Sequence, residues 1–284
     1  MLIDTLLIPL TIVVLLIAAL IDVRTREVPN WLNYGFIAAA LGIRTIFAVD
    51  YGWTVLFSGL LGLTVFVALA YLFYYTNQWG GGDSKLLMGM GASLGIAYPW
   101  TSESLQIVWF FLLVLLLGAV WGIGWMIIVA FRSGHRFQVR WKMTISNWKT
   151  LHWVLLIVTI LSAFGTWFWH FLWPFIVFPL GVFYLFLFVD VVEKSCFITA
   201  QKPSKVVEGD WLAEDIVIGG KTILRKTTLQ RNDLTTIKLF AKEKKITEVL
   251  IKEGVPFTPG FLFAYVLMTL GSSWLQRAVQ VFLS

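Results

Sequence analysis

Two aspartates, Asp22 and Asp83, stand in sequence that is otherwise almost wholly apolar. Asp22 closes the first hydrophobic span in Ala18-Ala-Leu-Ile-Asp22-Val-Arg24, and Asp83 follows the third in Trp79-Gly80-Gly81-Gly82-Asp83-Ser84-Lys85. With two crossings between them, the end of span one and the end of span three face the same compartment. A carboxylate at membrane depth is costly to hold, so it marks a functional site by default. Two at one level suggest a shared task, and peptide hydrolysis is one that a close pair of carboxyls can perform. Like charges a few ångströms apart cannot both ionise, so one carboxyl keeps its proton while the other stays charged. The charged member deprotonates a water, and the protonated member donates to the scissile carbonyl. A membrane–water boundary is dry enough for the first condition and wet enough to supply the water. Glycines before Asp83 let an extended substrate backbone come close and permit conformations closed to residues with side chains.

Each aspartate also has a plainer reading. A carboxylate at a helix end followed by Arg24 and Arg26 is often a solvated boundary residue. A glycine run before an aspartate is often a loop and a helix N-cap, since aspartate caps well and favours the positive end of the helix dipole. Asp190, beside Glu193 and Lys194, reads as an interface residue. His135, His152 and His170 lie in different segments without ligand spacing, and no metal site is expected. A single cysteine, Cys196, excludes an internal disulfide and a cysteine-based zinc site.

The elements that must hold these residues are helices in a membrane. Of the 284 residues, 58% are hydrophobic and only 13% charged, where soluble domains carry about a quarter charged residues. Several apolar stretches reach the roughly 20 residues that a helix needs to cross a bilayer. The fold class is an all-α polytopic membrane protein of about eight (six to eight) transmembrane helices with a small cytoplasmic α+β insert. The spans fall near 6–21, 31–49, 53–75, 86–98, 105–131, 151–171, 173–192 and 257–283, the fourth being short and rich in glycine. The first lacks a basic start and a cleavage site and is read as a retained helix.

The positive-inside rule orients the bundle with its N-terminus outside. The connections 22–30, 76–85, 132–150 and 193–256 are then cytoplasmic and carry nearly all the basic residues, and both aspartates face the cytoplasm. Arg44 and Arg277 fall elsewhere, near span ends, where they can snorkel outward. The net charge of +6 follows from this topology and implies no nucleic acid. The chain divides into a helical membrane domain 1–192, a soluble insert 193–256 and a last span 257–284. Within the insert, β-branched alternation in Ile216-Val-Ile218 and Thr222-Ile-Leu predicts a short hairpin, and Leu234–Lys252 predicts a helix leading back to the membrane.

Three segments then resemble one family. Gly80-Gly81-Gly82-Asp83 matches the Gly-x-Gly-Asp signature of membrane aspartyl proteases. Asp22-Val-Arg24-Thr-Arg26-Glu27-Val28-Pro29-Asn30 is similar to the segment carrying the first aspartate in type IV prepilin peptidases and archaeal preflagellin peptidases. Pro256-Phe257-Thr-Pro259 is similar to the Pro-Phe-x-Pro stretch that opens the last helix in the archaeal members. The resemblance implies an aspartic endopeptidase of the plasma membrane that removes short basic leaders from pilin- or flagellin-like precursors at the cytoplasmic face. It implies that Asp22 and Asp83 are the catalytic pair, that Gly80 and Gly82 shape the substrate approach, and that Pro256, Phe257 and Pro259 line it. No cofactor is expected. Bacterial members often carry paired Cys-x-x-Cys motifs and a methyltransferase activity; with one cysteine, this chain is closer to the archaeal branch.

Two other readings share parts of this pattern. A presenilin-like intramembrane protease would use the same chemistry, but such proteins usually carry Tyr-Asp where this chain has Ile21-Asp22. A proton- or cation-coupled transporter would bind its ion with the same carboxylates, but the paired broken helices of inverted repeats are not evident. Nor does the sequence say whether the carboxyls meet at rest; one expectation is that spans one and four must move together when substrate binds.

Overall fold

Lipid offers the backbone no hydrogen bonds, so a chain this apolar must satisfy its peptide groups within helices. The computed structural model describes residues 2–76, 78–99, 102–169, 171 and 173–271. It forms two compact units, residues 1–124 with 255–284 and residues 125–254.

The first unit opens with α1 (Asp4–Thr25), α2 (Asn30–Tyr51) and α3 (Thr54–Tyr75), each of 22 residues, or about 33 Å at 1.5 Å per residue. Next come the 14-residue α4 (Gly81–Leu94), the first part of α5 (Gln106–Asn147) and later α9 (Thr258–Leu270). One stripe of α1 is buried: Leu7, Thr11, Val14, Leu15, Ala18, Ala19 and Asp22. Spacings of three and four residues keep these on one face. Asp22 is therefore the last member of a packing face. On α2 the buried face likewise includes two polar residues, Asn33 and Arg44.

Small residues bring α3 and α4 together. A Cβ on Gly62 would meet the Gly91 carbonyl, and one on Gly91 would meet that of Gly62, so these two backbones touch. α4 is buried on several sides and ends at Gly95, whose φ of 70° is one that glycine adopts without the strain a side chain would bring.

Arg44 does not snorkel. It is 6% exposed, and its guanidinium caps the end of α4: Nε donates to Ala92 O at 2.8 Å and Nη2 to Ser93 O at 2.7 Å. Nη1 reaches Ser58 Oγ at 2.6 Å and Val55 O at 3.1 Å. The last carbonyls of a helix lack partners in their own helix, and a buried fork of five donors supplies them. Arg44→Leu is expected to strip partners from several buried carbonyls at once and to cost on the order of 3 kcal/mol. Thermal melting in detergent checks this; a melting point equal to wild type would contradict the capping role.

The second unit holds the remainder of α5, interrupted at Gly134 (φ 26°), then α6 (Lys149–Gly165) and α7 (Pro174–Cys196). The connection expected over 132–150 is thus helical as far as Asn147. A small sheet follows, β1 (Ile198–Gln201), β2 (Trp211–Leu212) and β5 (Val249–Lys252), in antiparallel order β1-β5-β2. Beside it in sequence is the hairpin β3 (Ile216–Ile218) and β4 (Lys221–Leu224). Its turn, Gly219-Gly220, has positive φ at both positions, as a tight hairpin of this hand requires. Gln230 and Asp233 form a capping box that opens α8 (Arg231–Lys242). Leu212, Leu229, Ile237, Val249 and Ile251 build the insert's own core.

The helix expected over Leu234–Lys252 is corrected here. α8 stops at Lys242, Lys244 takes φ 55°, and Val249–Lys252 is the central strand. An aliphatic run with alternate residues buried fills a sheet better than one face of a helix.

Five helices among the described residues, α1, α2, α3, α5 and α7, are long and apolar enough to cross a membrane. With the small strand insert, they make the all-α polytopic fold that the composition predicts. α4, α6 and α9 are shorter, and residues 272–283 of the last expected span, with Arg277, lie outside the described residues.

Candidate active site

The site lies wholly in the first unit and begins with the burial of Asp22. At 5% exposure it is not a solvated boundary residue; its place on the packing stripe of α1 turns it inward. α1 ends four residues later, where Arg26 takes φ 61° and its N–H donates to Asp22 O at 2.8 Å. The turn that follows places Val28 against the glycine run. A Cβ on Gly82 would lie 3.1 Å from Val28 N and 3.2 Å from Val28 Cβ.

Asp83 sits in the first turn of α4, behind Gly80, whose backbone is extended (φ −67°, ψ 161°). None of Gly80, Gly81 and Gly82 has positive φ. The expected conformational freedom is therefore not what the run uses; Gly82 is needed for close approach to Val28. Asn33 pins the same run, its Nδ2 donating to Gly82 O at 3.2 Å. Trp79 anchors it from the other end, with ring centroids 4.7 Å from Phe73, 5.2 Å from Phe257 and 5.5 Å from Phe261.

The two carboxylates meet at one residue. Thr258 N–H donates to Asp22 Oδ2 at 3.0 Å, and the Thr258 hydroxyl donates to Asp83 Oδ1 at 3.1 Å. Among the described residues, Asp83 accepts no bond from the N–H groups of its own helix, so it is not a cap. α1, α4 and α9 thus bring both side chains to one shared partner.

Thr258 opens α9, and its neighbours hold that end in place. Pro256 is buried, and its carbonyl accepts from Trp121 Nε1 at 2.8 Å. Phe257 packs on Gly118 and meets the Trp79 ring at a tilt of 43°. Pro259 is also buried and lies in the first turn of α9, where a missing N–H costs nothing. Gly260 lies against Gly118, with a would-be Cβ only 2.7 Å from its Cα. Pro256 and Pro259, on either side of Thr258 in sequence, are both buried, while Gly80 is exposed.

Thr258 and Asn33 escaped the sequence reading. Thr258 stood inside the Pro256–Pro259 motif, and its place just before a proline at the start of the last span was the available signal. Asn33 offered only a polar residue on an apolar helical face.

The fold and site together describe a polytopic helical membrane protein with two carboxyls from separate helices tied to the start of a third. Residues 10–123, which carry both aspartates, match the type IV leader peptidase family. The chain is also 34% identical to the preflagellin peptidase of Methanococcus voltae over 115 residues, covering 37% of this chain and 48% of that protein. The chain thus spans about half the length of the curated relative it matches. No solved structure matches it. These findings support the prepilin and preflagellin peptidase family, the one that the three motifs resemble.

Proposed function

We propose that this protein is a membrane aspartic endopeptidase that removes the short basic leader of pilin- or archaeal flagellin-like precursors. The observation that carries the proposal is the convergence of Asp22 and Asp83 on Thr258, within the stretch that matches leader peptidases. The reaction needs no group beyond the two carboxyls and water. The ionised carboxyl takes a proton from water as the water oxygen bonds to the scissile carbonyl carbon. The protonated carboxyl gives its proton to the carbonyl oxygen, and a neutral tetrahedral diol results. Its collapse breaks the C–N bond; the amine takes a proton from the first aspartate, and the second recovers one from a diol hydroxyl.

Gly80 and Gly82 would shape the approach of an extended substrate, with Phe257 lining it. The distribution of basic residues supports a site at the cytoplasmic face of the plasma membrane. A basic leader suits a site with two carboxyls, although Arg24, Arg26 and Lys85 stand close in sequence and offset that attraction.

Purified protein in liposomes, mixed with a purified precursor bearing a basic leader, tests the proposal. Intact-mass analysis should show one cut at the leader boundary. Absence of cleavage across pilin- and flagellin-like precursors, together with ion flux that depends on Asp22 and Asp83, would replace the peptidase with a transporter.

A further inference from the structure

The residue that joins the two aspartates has its own chemistry. Thr258 is completely buried and is the first residue of α9. Its N–H therefore belongs to the group that no helix can satisfy internally, and Asp22 takes it. Its hydroxyl faces Asp83. The two donors are not equivalent. A backbone N–H can only donate, and its direction is fixed by the helix. A hydroxyl can donate, or rotate and accept.

A bond from N–H to a charged carboxylate is roughly twice as strong as one to a neutral acceptor. The N-terminus of α9 adds its positive partial charge on the same side, and Arg26 is the basic group whose charge reaches Asp22. All three offset part of the cost of burying charge on Asp22. Asp83 meets a partner that serves either state, donating to a carboxylate or accepting from a carboxylic acid. The dipole of α4 favours charge on Asp83, but no N–H of that helix is bonded to it among the described residues.

We infer that Thr258 is a positioning residue that gathers the two carboxyls and divides their labour, its N–H holding Asp22 as the ionised base and its hydroxyl leaving Asp83 as the proton carrier. This rests on the two-aspartate reading proposed above. In the first step Asp22 then takes the water proton and Asp83 protonates the carbonyl oxygen. As Asp83 loses its proton, the hydroxyl turns to donate to the new carboxylate, so no buried charge is left without a partner.

Two variants separate the hydroxyl from the rest. Thr258→Val keeps the size, the β-branch and the N–H but loses the hydroxyl; Thr258→Ser restores it. Infrared difference spectra of the full-length protein in liposomes, recorded against pH, report the C=O stretch of a protonated carboxyl. Wild type should show one such band, retained in Asp22→Asn and lost in Asp83→Asn. Thr258→Val should shift both its frequency and the pH at which it disappears, and Thr258→Ser should restore both. In the cleavage assay, Thr258→Val should fall about 10²-fold with a displaced pH profile, the scale of a lost general-acid or general-base contribution. Thr258→Ser should stay within severalfold of wild type.

A band and pH profile unmoved by Thr258→Val would overturn the inference, as would a band lost in Asp22→Asn and kept in Asp83→Asn. If wild type cleaves no precursor, the peptidase reading fails by itself. The infrared result still decides whether Thr258 couples the pair.

Discussion

Asp22→Asn and Asp83→Asn are each expected to lower the rate of leader removal by at least about 10³-fold while the precursor still binds. That is the scale on which general acid–base groups contribute when the chemistry depends on them. Asparagine keeps the size of the side chain and can still accept from Thr258, so the geometry of α1, α4 and α9 should survive. What it cannot do is take a proton from water or deliver one to a carbonyl oxygen. Folding should not suffer, because each variant replaces a buried carboxyl by a neutral amide at the pair that Thr258 holds together. The melting temperature in detergent should equal or exceed that of wild type. Single-turnover cleavage followed by mass spectrometry, with melting measured on the same samples, checks both halves. A variant that loses activity and stability together would point to a structural role for that aspartate.

A second large effect is expected at a residue that carries no side chain at all. Gly260→Leu places a side chain where the Cβ alone would lie 2.7 Å from Gly118 Cα and 3.0 Å from Gly118 N. Both close atoms are backbone, so neither can move aside cheaply. Overpacking of this kind costs about 1–3 kcal/mol, occasionally more, and here the structure can relieve it by pushing α9 away from α5. Thr258 is two residues earlier on the same helix, so relief would draw it off both carboxylates. Cleavage should therefore drop by about 10²-fold or more even in protein that remains folded, in line with the cost of a misplacement of about 1 Å. Gly124→Leu is the control, since nothing lies within 4 Å of the Cβ that it would add. Equal activity in the two variants would mean that the seating of α9 on α5 does not govern the site.

Much of the fold was legible because its cause is local. Runs of Leu, Ile, Val and Phe long enough to cross a bilayer can hardly be anything but helices, and α1, α2 and α3 fall within a few residues of the expected spans. The shortness of α4 showed in its glycines, and the hairpin of the insert in Gly219-Gly220. The errors have a common cause as well. Val249–Lys252 reads equally as helix or strand by its aliphatic content, and only its pairing with β1 and β2 decides for strand. Arg44 was placed outward because a lone cation near a span end usually snorkels. What holds it inside is a set of backbone carbonyls, which leave no trace in side-chain sequence.

The site shows the same division. Asp22 and Asp83 stood out because a carboxylate in apolar sequence is expensive wherever it falls. Thr258 did not, because a threonine between phenylalanine and proline has no unusual cost. Its importance comes from contacts across 236 and 175 positions of chain. The glycine run was found for the wrong conformational reason: its backbone is ordinary, and the neighbour it must admit is Val28.

That the two aspartates work as one unit is tested most directly by the residual cleavage rates of Asp22→Asn, Asp83→Asn and the double variant, measured on one precursor in liposomes. Residues that share a single chemical step are strongly non-additive, so the double variant should be no slower than the slower single one. Losses that multiply would mean that Asp22 and Asp83 act independently, and cleavage at the wild-type rate in either single variant would contradict the two-carboxyl chemistry outright.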